Sequence, residues 1–434
     1  MAGAVMLVRG RLCWFEDVAS PDGTPPDPRF FEDGAMLVRD GSIIWSGDWA
    51  DRPQDLDDAE IMDHRPHLIM PGFIDPHIHF PQGQVVASYA GSLLEWLNSY
   101  TFVEEQRYGN VGFAAKMAAR FLEQLVSHGT TSCVAFGSVH KASADALLSE
   151  AHRRNMRIVA GKVMMDRNAP DALTDTPQSG YDDTKALIAK WHGQGRVEVA
   201  ITPRFALTST TAQMTMSGAL VREHRECLVQ THLSENPAEI ETALDLFPWA
   251  KDYTDIYDHF GLLTDKSLMG HCIHLGDREV ACLAQACAVT VFCPTSNLFL
   301  GSGLFDQERI AKAGGRVAVA TDIGGGTSWS MLRTLDEGYK ILNCQGQRWH
   351  PYTSFAQATL GNAKGIGMAE KIGTLEAASE ADFIVLDANA TSAMSMRMET
   401  VETLAEELFV LQTMGDDRAV RQTYVAGAPQ KPER

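Results

Sequence analysis

The sequence predicts an α/β fold: a (β/α)8 TIM barrel carrying a small β-sandwich assembled from the two ends of the chain. Three observations lead there. Eight apolar runs of strand length alternate with amphipathic stretches through the middle of the 434 residues. Two histidines, His77 and His79, close the first of these runs with one residue between them. Turn-rich, strand-like segments occupy both ends, and neither end has enough of them to form a stable unit alone.

The runs are 67–75, 130–136, 157–165, 197–203, 228–232, 267–271, 289–293 and 316–321. Each is nearly continuously hydrophobic rather than alternating, the pattern of a parallel strand covered on both faces. Helical periodicity separates them, most clearly over 113–127 and 142–155. Eight such units close a barrel whose working face lies at the C-terminal ends of its strands. An open doubly wound sheet is the alternative, but no Gly-x-Gly-x-x-Gly follows any run. The segment 84–110 is too long for a plain βα loop and reads as a lid or a packing helix.

At the N-terminal end, strand-like runs cover 6–10, 34–41 and 43–47, with Asp40-Gly41 as a hairpin signal. Residues 373–375 and 381–387 read the same way near the other end. Residues 1–66 together with 371–434 are therefore expected to form one composite sandwich around a barrel spanning 67–370.

Composition narrows the partners. A formal net charge of −19 repels polynucleotides and anionic membranes, so a small neutral molecule is the expected partner, although acidity that merely keeps an abundant protein soluble is equally compatible. Eight cysteines are scattered without a Cys-x-x-Cys, several inside apolar runs, as suits reduced thiols in a cytoplasmic protein. Residues 1–10 lack a basic region followed by a long apolar stretch, and no run approaches the ~18 apolar residues of a membrane span.

Residues i and i+2 of a strand point to the same side, so His77 and His79 can face one point. His232 ends the fifth run, His271 the sixth, and Asp322 follows the eighth. Each alone would read as a core histidine or a turn-capping aspartate. All five share the same relative place on their strands, which points to a metal centre. Neutral imidazoles with one carboxylate suit Zn²⁺ or Fe²⁺ better than Mg²⁺ or Ca²⁺.

With His-x-His on strand one, His on strands five and six and Asp on strand eight, the chain resembles the amidohydrolase superfamily. The resemblance implies that His77, His79, His232 and Asp322 hold one metal, Zn²⁺ with Fe²⁺ as the alternative, and that His271 orients the attacking water. Two-metal members add a carboxylated lysine at the end of strand four. Run four ends Ile201-Thr202-Pro203-Arg204, and Lys162, inside run three, is taken as structural, so a single metal is expected.

Narrower motifs resemble the branch of that superfamily whose members deaminate guanine: His79-Phe80-Pro81-Gln82, Thr202-Pro203-Arg204-Phe205, Thr231-His232-Leu233-Ser234-Glu235-Asn236, Cys293-Pro294-Thr295-Ser296-Asn297 with Leu300-Gly301-Ser302-Gly303-Leu304-Phe305, and Thr321-Asp322-Ile323-Gly324-Gly325-Gly326-Thr327-Ser328. The insertion 93–102 also matches. The resemblance implies hydrolysis of guanine to xanthine and ammonia by a homodimer. It implies that Gln82 and Arg204 hydrogen-bond the ring, Arg204 serving the O6/N7 edge, with Phe205 in apolar contact and His232 and Asp322 bordering the substrate. A bound metal would lower the pKa of water toward roughly 7. Asp322 and His271 would take its proton, and Glu235 would shuttle a proton to N3 and then to the departing amine. The alternatives are a surface carboxylate for Glu235 and a rim salt bridge for Arg204.

Three signatures weigh against other assignments. The His-x-Glu with Pro-Cys-x-x-Cys of other zinc nucleobase deaminases is missing, since Cys293-Pro294 runs into Thr295-Ser296. His-Glu-x-x-His is missing as well. A non-catalytic scaffold of the same fold would be expected to have lost ligands, and none is lost. A relative acting on 8-oxoguanine, cytosine, adenosine or a triazine stays as the competing reading.

Overall fold

The computed structural model describes residues 5–19, 23–54, 59–89 and 92–431, so the first four residues and positions 90–91 of the insertion lie outside it. The chain opens with β1 (Val5–Phe15), β2 (Pro28–Arg39), β3 (Ser42–Asp48) and β4 (Glu60–Pro71). It continues through β5 (Phe73–His79), β6 (Thr130–Phe136), β7 (Arg157–Gly161), β8 (Val163–Met164), β9 (Val197–Val199) and β10 (Thr202–Pro203). Next come β11 (Val229–Leu233), β12 (Ser267–His271), β13 (Val289–Phe292) and β14 (Arg316–Val319). It ends with β15 (Phe383–Leu386), β16 (Val420–Val425) and β17 (Ala428–Pro429).

Both chain ends do share one sheet, seven-stranded in the order β17-β16-β15-β4-β1-β2-β3. The β2–β3 hairpin turns at Asp40 (φ 51°) and Gly41 (φ 78°), the pair of left-handed residues that a type I′ turn requires. Residues 373–375 do not form the strand expected of them. They lie in a turn where Gly373 has φ 98° and a Cβ on it would sit 3.0 Å from Leu360 Cα, a place where neither strand dihedrals nor a side chain fit.

In the middle, β5-β6-β7-β9 and β11-β12-β13-β14 form two parallel four-stranded sheets, and β8 pairs with β10. The sheets approach each other at both flanks. Ile201 bridges Val229, and beyond the other flank Asp322 N donates to His77 O at 3.0 Å. Helices cover the strands: Val111–Ser127 buries Ala114, Met117, Ala118, Phe121, Leu122, Leu125 and Val126, the i, i+3, i+4 stripe that gave its periodicity away. Its first turn is capped by the Asn110 side chain, which accepts from Phe113 N at 2.9 Å.

Three predicted runs divide. Run 67–75 is two strands that serve different sheets, β4 in the terminal sheet and β5 in the central one. Gly72 makes the exchange against β6, where a Cβ would sit 2.2 Å from Thr131 Oγ1. Run 157–165 breaks at Lys162, whose ammonium turns inward to the Val163 carbonyl (3.0 Å) and the Asp175 carboxylate. Run 197–203 breaks between β9 and β10 beside it. All eight cysteines are free, and no helix among the described residues is long and apolar enough to cross a membrane.

A charge cluster ties the terminal sheet to the central strands. Arg157 at the start of β7 and Arg196 ahead of β9 both donate to Glu380, at 2.7 Å and 2.9 Å, and Arg196 also reaches Asp382. Burial alone would raise the pKa of Glu380, but the two guanidinium groups outweigh it and hold the carboxyl below its ordinary value. Its contribution is therefore in place above the ordinary glutamate pKa and is lost as pH falls through the depressed one. Glu380→Gln should lower unfolding stability by about 2–3 kcal/mol near pH 7, because two nearly buried arginines are left short of a counter-charge. Urea unfolding measures it, and the gap to the parent should close as the pH drops below 4 or so.

Candidate active site

The site is built where strands end. His77 and His79 lie on β5, His232 on β11 and His271 closes β12, while Asp322 follows β14. All are buried. The period of two aims both β5 histidines at the same point, and one ring fits only because β12 has a glycine opposite. A Cβ on Gly270 would lie 2.5 Å from His77 Cε1. Three residues where the strands turn inward, Ser234 (φ 51°), His271 (φ 70°) and Asp322 (φ 51°), hold left-handed backbone that side chains rarely adopt. Strain of this kind persists only where the surroundings impose it, and it gathers at functional sites.

The donor atoms converge. His77, His79, His232 and Asp322 each place one ligand atom within 4.8 Å of the others. Asp322 Oδ1 lies 3.4 Å from His77 Nε2 and 3.3 Å from His79 Nε2. The Nε2 atoms of His79 and His232 face each other at 3.1 Å. His232 Nδ1 sits 2.8 Å from the Arg204 carbonyl, an acceptor only, so Nδ1 carries the proton and Nε2 presents a lone pair inward. His77 has no hydrogen-bond partner on either ring nitrogen, and His79 has none on Nδ1.

Electrostatics favour the same protonation states. Burial, opposed by Asp322, takes His79 down to about 4, and burial with its three neighbouring imidazoles holds His232 well below its ordinary value. Burial would raise Asp322, but His77, His79 and His271 outweigh it and keep the carboxyl ionised. Three imidazole nitrogens and one carboxylate oxygen at a buried point form a group able to hold a metal ion of borderline softness. A second grouping, of His271 and Cys293 with His77 and Asp322, shares two members with the first and lies against it.

The remaining predicted residues surround one cavity. It leaves about 380 Å³ free of protein atoms and is lined by His79, Gln82, Arg204, Phe205, His232, Glu235, His271 and Asp322, with Leu93, Trp96 and Leu97 from the insertion. Glu235 Oε2 lies 3.4 Å from His271 Nε2, and Glu235 Oε1 accepts from Ser302 Oγ at 3.0 Å. Burial, with the charge of Asp322 adding and Ser302 opposing, pushes Glu235 up to about 8. A carboxyl there can hold or release a proton near neutral pH. The surface-carboxylate alternative for Glu235 does not describe a buried group in this position.

Supporting residues had no role assigned from the sequence. Asn297 Oδ1 holds His271 Nδ1 at 3.0 Å. Glu239 accepts from the backbone N of Glu235 (2.8 Å) and of Asn236 (3.1 Å), clamping the turn that carries Glu235. Glu105, from the insertion, receives Gln82 and Arg204. Asn297 and Ser302 stood inside or beside noticed motifs, but Glu105 and Glu239 carry no motif signal. Lys162 is paired with Asp175, away from the four-ligand group, as the structural reading expected.

Residues 68–429 match the amidohydrolase family. The chain belongs to that family. Guanine deaminase of Escherichia coli (strain K12) is 44% identical over 411 residues, covering 94% of each chain. The solved structure of guanine deaminase from Bradyrhizobium japonicum superposes with a TM-score of 0.94 at 36% identity, covering 99% of this chain and 100% of that one. A guanine deaminase from C. acetobutylicum, with guanine bound in its active site, gives 0.88 at 29% identity, covering 98% and 99%. Amidohydrolases use a metal, and the His/Asp group is where this member can hold one.

His79→Ala should purify as a folded protein with far less than one metal per chain by mass spectrometry, because it removes one of the four ligand atoms that converge on the ion's place. Full occupancy in that variant would move the metal elsewhere.

Proposed function

We propose that this protein hydrolyses guanine to xanthine and ammonia. The observation that carries this is one cavity in which a polar edge of Gln82 and Arg204 faces a proton-carrying Glu235 and the His/Asp group. The names of the relatives agree with it. A divalent ion held by His77, His79, His232 and Asp322, Zn²⁺ with Fe²⁺ as the alternative, would supply the Lewis acidity that makes water a nucleophile near neutral pH.

The chain's own groups do the rest. Arg204 and Gln82 bind the base with its C2 toward Glu235, and Phe205 covers it. As the water oxygen bonds to C2, Glu235 gives its proton to N3 and is restored by one proton of the water. Asp322, with His271 beside it, receives the second, which passes to the exocyclic amine. The C2–N bond then breaks, ammonia leaves, and the N3 proton stays on xanthine.

We also read the two central sheets as one barrel, since Ile201–Val229 and Asp322–His77 link them at both flanks. The terminal sheet is read as the expected sandwich, because Met36, Val38 and Ile43 share a cluster with Phe383, Val385 and Tyr424 from its other half. Residues 1–66 with 371–434 and residues 67–370 form the two units of this reading, and the family resemblance supports a cytoplasmic homodimer.

Metal-replete protein should release ammonia from guanine and scarcely from adenine, cytosine or guanosine. Arg204 donates only, so it suits the O6 acceptor and opposes an exocyclic amine, and such mismatches cost roughly 10⁴–10⁵ in kcat/KM, while guanosine would also have to fit its ribose in the pocket. Comparable rates on adenine would overturn the assignment. Glu235→Gln should keep metal and base binding while kcat falls about 10²–10⁴-fold. Arg204→Leu should lose most guanine activity yet keep its metal, since His232 is held by the backbone carbonyl of residue 204 and not by its side chain.

A further inference from the structure

Glu105 is an ionisable residue with no place in the reaction just described, yet it is fully buried beside the cavity. It comes from the 84–110 insertion, on the short helix Phe102–Glu105. Its carboxylate accepts three hydrogen bonds: from Gln82 Nε2 at 2.8 Å, and from Arg204 Nη1 at 3.0 Å and 2.9 Å. Phe102, three residues earlier, places its ring 5.4 Å from the Arg204 guanidinium carbon. The partners arrive from distant parts of the chain, Gln82 from just past β5 and Arg204 from just past β10. Burying an ion pair carries a desolvation cost, and apolar residues of like volume often replace such a pair without loss. Its presence here calls for a use other than stability.

The use follows from which atoms are engaged. An amide can bind either way round, but Gln82 cannot. Its Nε2 points into a carboxylate, which accepts only, and its Oε1 receives Gly324 N at 3.2 Å, which donates only. A flip would set donor against donor and acceptor against acceptor. Arg204 is fixed in a similar way. Nη1 is engaged by Glu105, and among the described residues Nε and Nη2 have no acceptor, so they stay available to a ligand in the cavity that Arg204 lines. The carboxylate also cancels the guanidinium charge, which leaves a pocket suited to a neutral base.

We propose that Glu105 is the positioning residue of the pocket, fixing the donor faces that Gln82 and Arg204 present to the base. The inference rests on the guanine-deaminating reading for its substrate, but not for its geometry. Through Glu105 the insertion also becomes part of base recognition, because the carboxylate that orders both readers belongs to it.

The test uses Glu105→Gln in the metal-replete, full-length protein. The substitution keeps size but turns one acceptor oxygen into a donor facing donors. Guanine kcat/KM should fall about 10- to 100-fold, mostly through KM, with metal content near the parent's and a lowered melting temperature, since the buried Arg204 guanidinium loses its counter-charge. In an Arg204→Leu background the same substitution should cost less than about threefold further, because the residue it acts through is already gone. Parental KM, or losses that multiply in full, would overturn the proposal. A crystal structure of Glu105→Gln supplies an arm independent of turnover: the Arg204 guanidinium and Gln82 amide should leave their present positions. If both stay, Glu105 does not position them, whatever the substrate. A parent protein inert toward guanine would sink the reaction and leave this arm to decide the proposal. Should Glu105→Gln fail to fold, Glu105→Asp, which withdraws the carboxylate by one methylene, is read by the same two arms.

Discussion

The structure turns on one constraint: four ligand atoms from distant parts of the chain must converge on one buried point. His79 and His232 bring Nε2 atoms to 3.1 Å, and Asp322 adds an oxygen within 3.4 Å of two of the imidazoles. His232 has its only proton turned away toward a carbonyl. Donor atoms of this kind gathered round one buried point suit a cation at its centre. Three strands from separate parts of the chain must end at the same height for that point to exist. The parallel architecture supplies that height, since the C-terminal ends of its strands lie on one face.

Around that point the protein spends its irregular backbone and its buried carboxyls. Left-handed Ser234, His271 and Asp322 turn the chain sharply at the strand ends. Asp75, pushed up to about 7 by burial, ties β5 to the Asp322 loop by accepting from Thr321 N at 3.2 Å and His77 N at 3.3 Å. Glu239, raised to about 7 by burial and then by Glu235, clamps the next turn. Each group acts on a ligand or proton carrier and does not itself reach the centre of the site. Second-layer contacts of this kind fix ring tautomers and orientation in metal sites.

The sequence made the inner layer legible because strand chemistry is local. A period of two and a position at the end of an apolar run were enough to bring His77, His79, His232, His271 and Asp322 together. Glu235 and Arg204 were legible through short motifs beside those ends. Glu105 was not, because Glu104-Glu105 looks like any acidic helix surface and its partners lie 23 and 99 positions away. Strand exchange was hidden too. An unbroken apolar run over 67–75 does not reveal that Gly72 passes the chain from one sheet to another. The breaks at Lys162 and after β9 depend on an inward ion pair and on close packing, neither of which hydrophobicity records.

The central claim is that one ion at this point activates water for attack on a purine. Its most direct test is to strip the protein with a chelator and titrate Zn²⁺ back while following xanthine formation from guanine. Activity should be absent at the start, rise in proportion to added metal and break at one equivalent per chain. Turnover by the stripped protein, or a break at two equivalents, would contradict it.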